Sequence, residues 1–370
     1  MSLGLLDLSA RGAGFLRRRA CAYQPDRGDA HVGERLIKQH GLRPGDEIDG
    51  TTKDGQRGQG PTLETITSIN GRPPAEIARR ADFAKLAAVH PFEALPLTYA
   101  GAPDLTGRVI DLLCPLGKGS RALIVAPAKA GKTTTLRAIA EGLRANHPSV
   151  RIFFLLVDER PEEVYEMESL GIGEVAASSF DQDAKSHVAL AELTLERARR
   201  IVEQGGDAVI IVDSLTRLAR AYNTARSGSG RTLSGGLDAD AMERPKRFFG
   251  SARAVDPRQG TGSLTIIATA LVDTGSRMDQ VNFEEFKGTG NSALVLSREL
   301  AERRVLPDVD LTASATRKEE KLMSPELLGA SHELRRRLAG SDPVKAMKTL
   351  QDELRRAPTT DALVQALAPT

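Results

Sequence analysis

Three short stretches, each placed after an apolar run, have the residue types and spacing that phosphate chemistry needs. The first is Ala126-Pro-Ala128-Lys129-Ala130-Gly131-Lys132-Thr133-Thr134. Backbone N–H groups of such a loop, with the positive end of the helix that follows, face an anion; Lys132 reaches outer phosphates and the Thr133 hydroxyl can ligate Mg²⁺. The second is Asp158-Glu159-Arg160 after Arg151–Val157, where Glu159 can polarise a water attacking a γ-phosphate. The third is Asp213, which ends the run Asp207–Val212 and suits orientation of a Mg²⁺ shell. Ala126 stands at the first position of G-x-x-x-x-G-K-[ST], so the loop is supported by the two acids downstream rather than by the pattern alone.

These stretches need strands to carry them and helices to cover the strands. From about residue 104 onward, apolar runs alternate with helix-patterned segments at the spacing of βαβ units, which predicts a mostly parallel sheet with helices on both faces. Ligands of such sheets lie at the carboxyl ends of the strands, where Lys132, Glu159 and Asp213 are expected. Glu162 and Glu163 read as helix-start acids favoured by the dipole. Ser263–Val272 is the next buried strand and opens into Asp273-Thr-Gly-Ser276-Arg277-Met-Asp279; Glu284–Asn291 reads as a tight turn. Ser227–Gly236, with Arg231, Thr232, Gly235 and Gly236, is too glycine-rich for a regular element and suits contact with a nucleic-acid backbone. Arg298, Arg303, Arg304 and Arg317 cluster late in the sheet region, and one of them can act as a finger onto a neighbour's γ-phosphate in a ring. Leucines at helical spacing from Met323 predict a closing helical subdomain.

The first 71 residues are patterned differently, as short apolar runs broken by Gly, Pro and Asp, which predicts a small β-barrel. Within it, Gly14-Phe15-Leu16-Arg17 can place an aromatic and a cation where single-stranded bases stack and phosphates pair. Residues 72–103, with repeated prolines and a helical patch over Ala75–Val89, read as a linker, leaving 104–370 as the second domain. A formal net charge of +2, from 51 basic and 49 acidic residues, excludes bulk charge as the source of nucleic-acid binding. Cys21 and Cys114 have no metal-ligand spacing, and no run approaches 18 apolar residues; a cytoplasmic chain without membrane spans or a structural zinc is expected.

Taken together, Ala126–Thr133, Asp158–Val164, Asp213–Asn223, Arg244–Gly250, Leu271–Asp279, Glu285–Asn291 and Thr316–Glu320 make the chain closely similar to the bacterial transcription termination factor Rho family. The resemblance covers nearly everything from Gly12, and that family also has Ala at the Ala126 position. It implies a RecA-like P-loop ATPase domain preceded by a cold-shock or OB-type barrel. It also implies ATP and Mg²⁺ as cofactors, nascent single-stranded RNA and the RNA polymerase elongation complex as partners, and a homohexameric ring. Lys129 and Lys132 would contact phosphates, Thr133 the magnesium, Glu159 the attacking water, Asp213 the metal shell, and Leu306 would stand at the adenine-stacking position. Arg317 resembles the finger supplied across the subunit interface, with Arg160 a second interfacial arginine. Arg231–Gly236, Thr274–Met278 and Lys287 resemble the pore segments that grip RNA.

Some positions depart from the family. Its members usually carry a small helical bundle before the barrel, and this chain starts almost at the barrel. Ala13 and His31 stand where stacking aromatics are expected, which predicts weakened loading at the barrel. Two functions follow: an ATP-hydrolysing RNA translocase that terminates transcription, or a divergent ring subunit that binds RNA or polymerase with weak or no motor activity. The intact Lys132, Glu159, Asp213 and Arg317 favour the first, and the barrel disfavours a rotary ATP synthase subunit.

Overall fold

The computed structural model describes residues 3–9, 12–55, 60–77, 80–225 and 242–367. Five strands, β1 (Gly4–Leu8), β2 (Gly14–Arg17), β3 (Ala30–Val32), β4 (Glu47–Lys53) and β5 (Thr62–Ile69), form a closed barrel in the order β1-β2-β3-β5-β4, with α1 (Glu34–His40) inserted before β4. Strand alternation decides which side chains fill it: Leu6, Leu16, Val32, Ile48 and Ile69 are fully enclosed, while Phe15, one residue before Leu16, faces out.

The segment after the barrel is packed rather than free. The expected helix over Ala75–Val89 is replaced by a short α2 (Pro74–Ile77), a 3₁₀ turn at Phe83–Lys85 and β6 (Ala88–Val89), which pairs with β11 (Arg253–Val255). Phe83, Leu86, Leu95 and Leu97 are buried, so its prolines shape a strap that contributes to the core. After α3 (Thr106–Leu113), strands β7 (Arg121–Pro127), β8 (Arg151–Glu159), β9 (Glu174–Ser179), β10 (Asp207–Asp213), β12 (Ser263–Val272), β13 (Ser292–Val295) and β14 (Ala315–Thr316) follow. Their order is β14-β13-β7-β12-β10-β8-β9; β11 and β6 complete nine strands among the described residues. Every neighbouring pair from β13 to β9 is parallel. β9, with its mixed Ser and Ala, carries little apolar signal and was not legible as a strand.

Continuous apolar runs form these strands because both faces are covered. Ile124, Phe154, Leu156 and Ile211 pack on one face with α3, α4 (Lys132–Asn146) and the closing helices α11 (Pro325–Leu338), α12 (Pro343–Arg356) and α13 (Thr360–Leu367). Leu123, Phe153, Leu155 and Ile210 pack on the other with α6 (Ala184–Glu203), α7 (Leu215–Ala225), α8 (Glu243–Gly250) and α9 (Arg277–Thr289). α9 runs through Glu284–Thr289 of the stretch read as a turn, since Asp279, Asn282, Phe283 and Phe286, three and four residues apart, keep one helix face turned to the core. α5 (Pro161–Ser169) follows β8, and α10 (Arg298–Glu302) follows β13.

The barrel sits on α6 through buried ions. Arg80 pairs with Asp46, Arg43 reaches Glu203 at 3.0 Å, and Arg197 donates to Asn70 Oδ1 at 2.7 Å. Gly45, at φ +78°, approaches so closely that a Cβ would lie 2.4 Å from the Arg197 backbone nitrogen. Only glycine satisfies both demands.

Candidate functional site

Lys132, Glu159 and Asp213 meet at the carboxyl edge of the sheet. β7 delivers the loop, and Gly131 leads into α4, so the start of a helix of 15 residues lies beside the ends of β8 and β10. Lys132 Nζ lies 2.8 Å from Asp213 Oδ1 and 3.2 Å from Glu159 Oε1. Thr269 of β12 donates to the same Asp213 oxygen at 2.7 Å, and Arg217 Nη1 lies 3.1 Å from Glu159 Oε2 while donating to the Asp158 carbonyl. Among the described residues that second Glu159 oxygen is buried and accepts no hydrogen bond, its contact with Arg217 being an ion pair.

Burial raises both acids above their ordinary values, more than the Lys132 charge pulls them down. Burial depresses the ammonium of Lys132, but Asp213 and Glu159 outweigh it and hold the group above its ordinary value. Lys132 therefore stays charged, and Glu159 is a stronger proton acceptor than a solvated carboxylate once it is ionised. Glu159, Glu163 and Asp213 offer carboxylate oxygens all within 4.8 Å of one another. Glu163 thus belongs to the acid cluster, a role its helix-start pattern did not reveal.

In the rest of the loop, Ala128 and Lys129 are exposed, the latter at φ +65°, Ala130 is buried, and Thr133 and Thr134 open the helix. Arg160 is exposed at the start of α5. Leu306 is 47% exposed and its carbonyl accepts from Gln351 Nε2 at 2.6 Å. Asp308, two residues on, accepts from Gly131 N–H at 2.6 Å. Arg217, Thr269 and Asp308 were missed. A cation four residues after a strand-end acid and a hydroxyl near the carboxyl end of a buried strand were the available signals for the first two.

Arg317 stands elsewhere. Thr316 pairs with Ser292, which pairs with Ala122 at the beginning of β7, and Arg317 N–H donates to the Asn291 carbonyl at 2.8 Å. The length of β7, roughly 20 Å at about 3.3 Å per residue, separates this exposed arginine from its own phosphate loop.

Phe15 is 38% exposed on β2 and pairs across the sheet with His31 of β3, their rings edge-on with centroids 5.6 Å apart. The Arg17 guanidinium lies 5.4 Å from the Phe15 ring centre and is tied to Asp7 and Asp29 at 2.7 and 2.9 Å. Alternation puts Phe15 and Arg17 outside and Gly14 and Leu16 inside. Ser276 caps α9 and Arg277 begins it, exposed after the carboxyl end of β12; Lys287, near the end of α9, lies 5.8 Å from the Phe283 ring. Arg220 holds Asp279 at 2.9 Å and Thr274 donates to it at 2.6 Å, which fixes this loop. Arg231, Thr232, Gly235 and Gly236 lie outside the described residues.

A parallel sheet with a phosphate loop at its carboxyl edge, facing two strand-end acids, defines a RecA-like P-loop ATPase domain, here joined to an OB-like barrel. Residues 107–316 match the ATP synthase alpha/beta family nucleotide-binding domain, and residues 2–75 the Rho termination factor RNA-binding domain. The chain is 52% identical over 97% of its length to transcription termination factor Rho of Gemmatimonas aurantiaca, and 49% identical over 99% to that of Streptomyces coelicolor. It spans 49% of the first relative's length and 86% of the second's. An ATPase from the type III secretion system of pathogenic bacteria shares the fold at a TM-score of 0.62 and 23% identity, over 76% of this chain and 86% of its own. The chain belongs to the transcription termination factor Rho family.

Among the described residues, no helix is long and apolar enough to cross a membrane.

Proposed function

We propose that this chain is an RNA-dependent ATPase that binds nascent RNA, moves along it as part of a ring of identical subunits, and ends transcription at the RNA polymerase elongation complex. The observation that carries this reading is the Lys132–Glu159–Asp213 triad, a half-buried lysine on two buried acids, at the carboxyl edge of the sheet. Phosphoryl transfer is catalysed by position and charge, and the triad supplies a cation for the phosphates, a base and a carboxylate in one place.

In this reading Ala128, Lys129, Ala130, Gly131, Lys132, Thr133 and Thr134 cradle the phosphates of ATP, with Leu306 against the base. Glu159 orients the attacking water and accepts its proton. The oxygen donors fit a hard cation: the Thr133 hydroxyl and Asp213 would hold Mg²⁺, which neutralises phosphate charge when bound. Arg317 lies too far from its own loop to act there, so it serves the neighbouring subunit's γ-phosphate, with Arg160 at the same interface. This head-to-tail use of one surface against another is what closes a ring, and the family resemblance supports six members. Phe15 and Arg17 bind RNA at the barrel. Ser276, Arg277 and Lys287, with Arg231, Thr232, Gly235 and Gly236, line the pore.

The exposed Leu306 and the His31 ring favour a second reading, a ring subunit with weak motor activity. RNA-stimulated release of phosphate from ATP by the purified protein separates the two. Turnover that rises with single-stranded RNA supports the motor, and RNA binding without turnover overturns it.

A further inference from the structure

Asp308 lies on the segment between α10 and β14, and it is buried, only 2% exposed. Its Oδ2 accepts the Gly131 N–H at 2.6 Å, and a Cβ built on Gly131 would meet its two carboxylate oxygens at 2.8 and 3.1 Å. The contact is held rigidly. Ser297 N–H donates to the Asp308 carbonyl at 2.7 Å, Leu296 and Val309 bridge antiparallel, and Leu296 N–H donates to Val125 of β7 at 2.8 Å. One short frame thus ties the strand that carries the phosphate loop to the acid that touches it.

Among the described residues no lysine or arginine forms an ion pair with this carboxylate; its polar partners are backbone N–H groups, and burial raises its pKa. A buried carboxylate without a cation is costly to keep charged, and it spends its acceptor on a loop amide. Loop amides of this kind are the groups that receive a nucleotide's phosphate oxygens. A carboxylate offers the same charge sign and the same acceptor chemistry, and the N–H that donates to it is not available to a phosphate.

We propose that Asp308 is an internal anion that competes with the phosphates of a bound nucleotide for Gly131, so that nucleotide entry must displace it and affinity is lowered by its presence. The proposal rests on the nucleotide reading of the site. It places a brake on loading at the loop itself, separate from the base contact at Leu306. Ligands are affected according to the phosphates they carry, so ADP and ATP feel the brake and adenosine does not.

The test uses the full chain with Asp308→Ala and Asp308→Asn, titrated calorimetrically with ADP and with adenosine, and with thermal unfolding followed to confirm that each variant folds. Asp308→Ala is expected to bind ADP about tenfold more tightly, the scale of one charge-assisted hydrogen bond. Asp308→Asn, which keeps the shape and an acceptor but loses the charge, gains less, and adenosine binding is unchanged in both. If wild type binds ADP and both folded variants bind it equally or more weakly, Asp308 supports the loop and the competition is refuted. A matching gain for adenosine also refutes it, because the change then lies in the base pocket. If neither wild type nor variants bind ADP, the nucleotide reading itself fails, an outcome distinct from the other two.

Discussion

The phosphate-loop edge of the sheet and the outer face of the barrel solve opposite problems. At the sheet edge, charges are buried and paired: Glu159 and Asp213 are 1% and 4% exposed and share one lysine. On the barrel, Phe15 stands in solvent with His31 at its edge, and the nearby Arg17 is neutralised by Asp7 and Asp29. In the buried site each partner fixes the charge state of the others, so removing one group damages them all. The Phe15 ring carries no charge and fixes none in its neighbours, so its loss is graded. In the proposed function, phosphoryl transfer uses the first arrangement and transient contact with RNA uses the second.

The largest effect is expected at the loop. Lys132→Ala removes the cation shared by the two acids, and ATP turnover should fall by at least about 10³-fold with nucleotide binding lost. Phosphate release and nucleotide titration measure both, and retained turnover would place the chemistry elsewhere.

Arg317→Ala should lower turnover by roughly 10³-fold while nucleotide binding persists, as for an arginine finger supplied in trans. Mixing Arg317→Ala subunits with Lys132→Ala subunits should then recover activity, because some interfaces regain an intact loop opposite an intact arginine. Failure of the mixture to exceed either variant alone would argue against a shared site.

Acidity gives a third contrast. Burial lifts the Glu159 carboxyl above its ordinary 4.5, and in its proposed role as base Glu159 works only when ionised. Turnover should therefore decline as pH falls through a midpoint above 4.5, with the fold monitored by circular dichroism at each pH. An acid limb at or below 4.5 would remove Glu159 from the proton-accepting role.

On the barrel, Phe15→Ala should weaken binding of a pyrimidine oligonucleotide about tenfold, the scale of one stacked base. Unchanged affinity would move RNA loading off this face. Ala13→Phe with His31→Tyr should strengthen the same binding by a smaller factor without altering RNA-free turnover. A parallel change in that basal rate would show that the barrel and loop are not separable, which the buried Arg80–Asp46 pair and the partly exposed Arg43–Glu203 pair make a direct structural question.

The proposed nucleotide site was legible because it lies in contiguous stretches. A loop, a strand-end glutamate and a strand-end aspartate announce themselves by what immediately precedes them, and parallel strands must deliver them to one edge. The outward aspect of Phe15 followed once β2 was a strand, since alternation leaves it no place in a core already filled by Leu16. Other features required the folded chain. Gly131 and Asp308 are 177 residues apart, and Arg217 and Glu159 meet only because β8 and β10 are neighbours. The packed strap after the barrel was hidden by its prolines, which mark turns but do not say whether the turns are covered. That Arg317 is displaced from its own loop by the length of β7 was set by register in the sheet. Local sequence carries propensity and periodicity, whereas pairing between distant segments depends on which burial of many alternatives the whole chain satisfies at once.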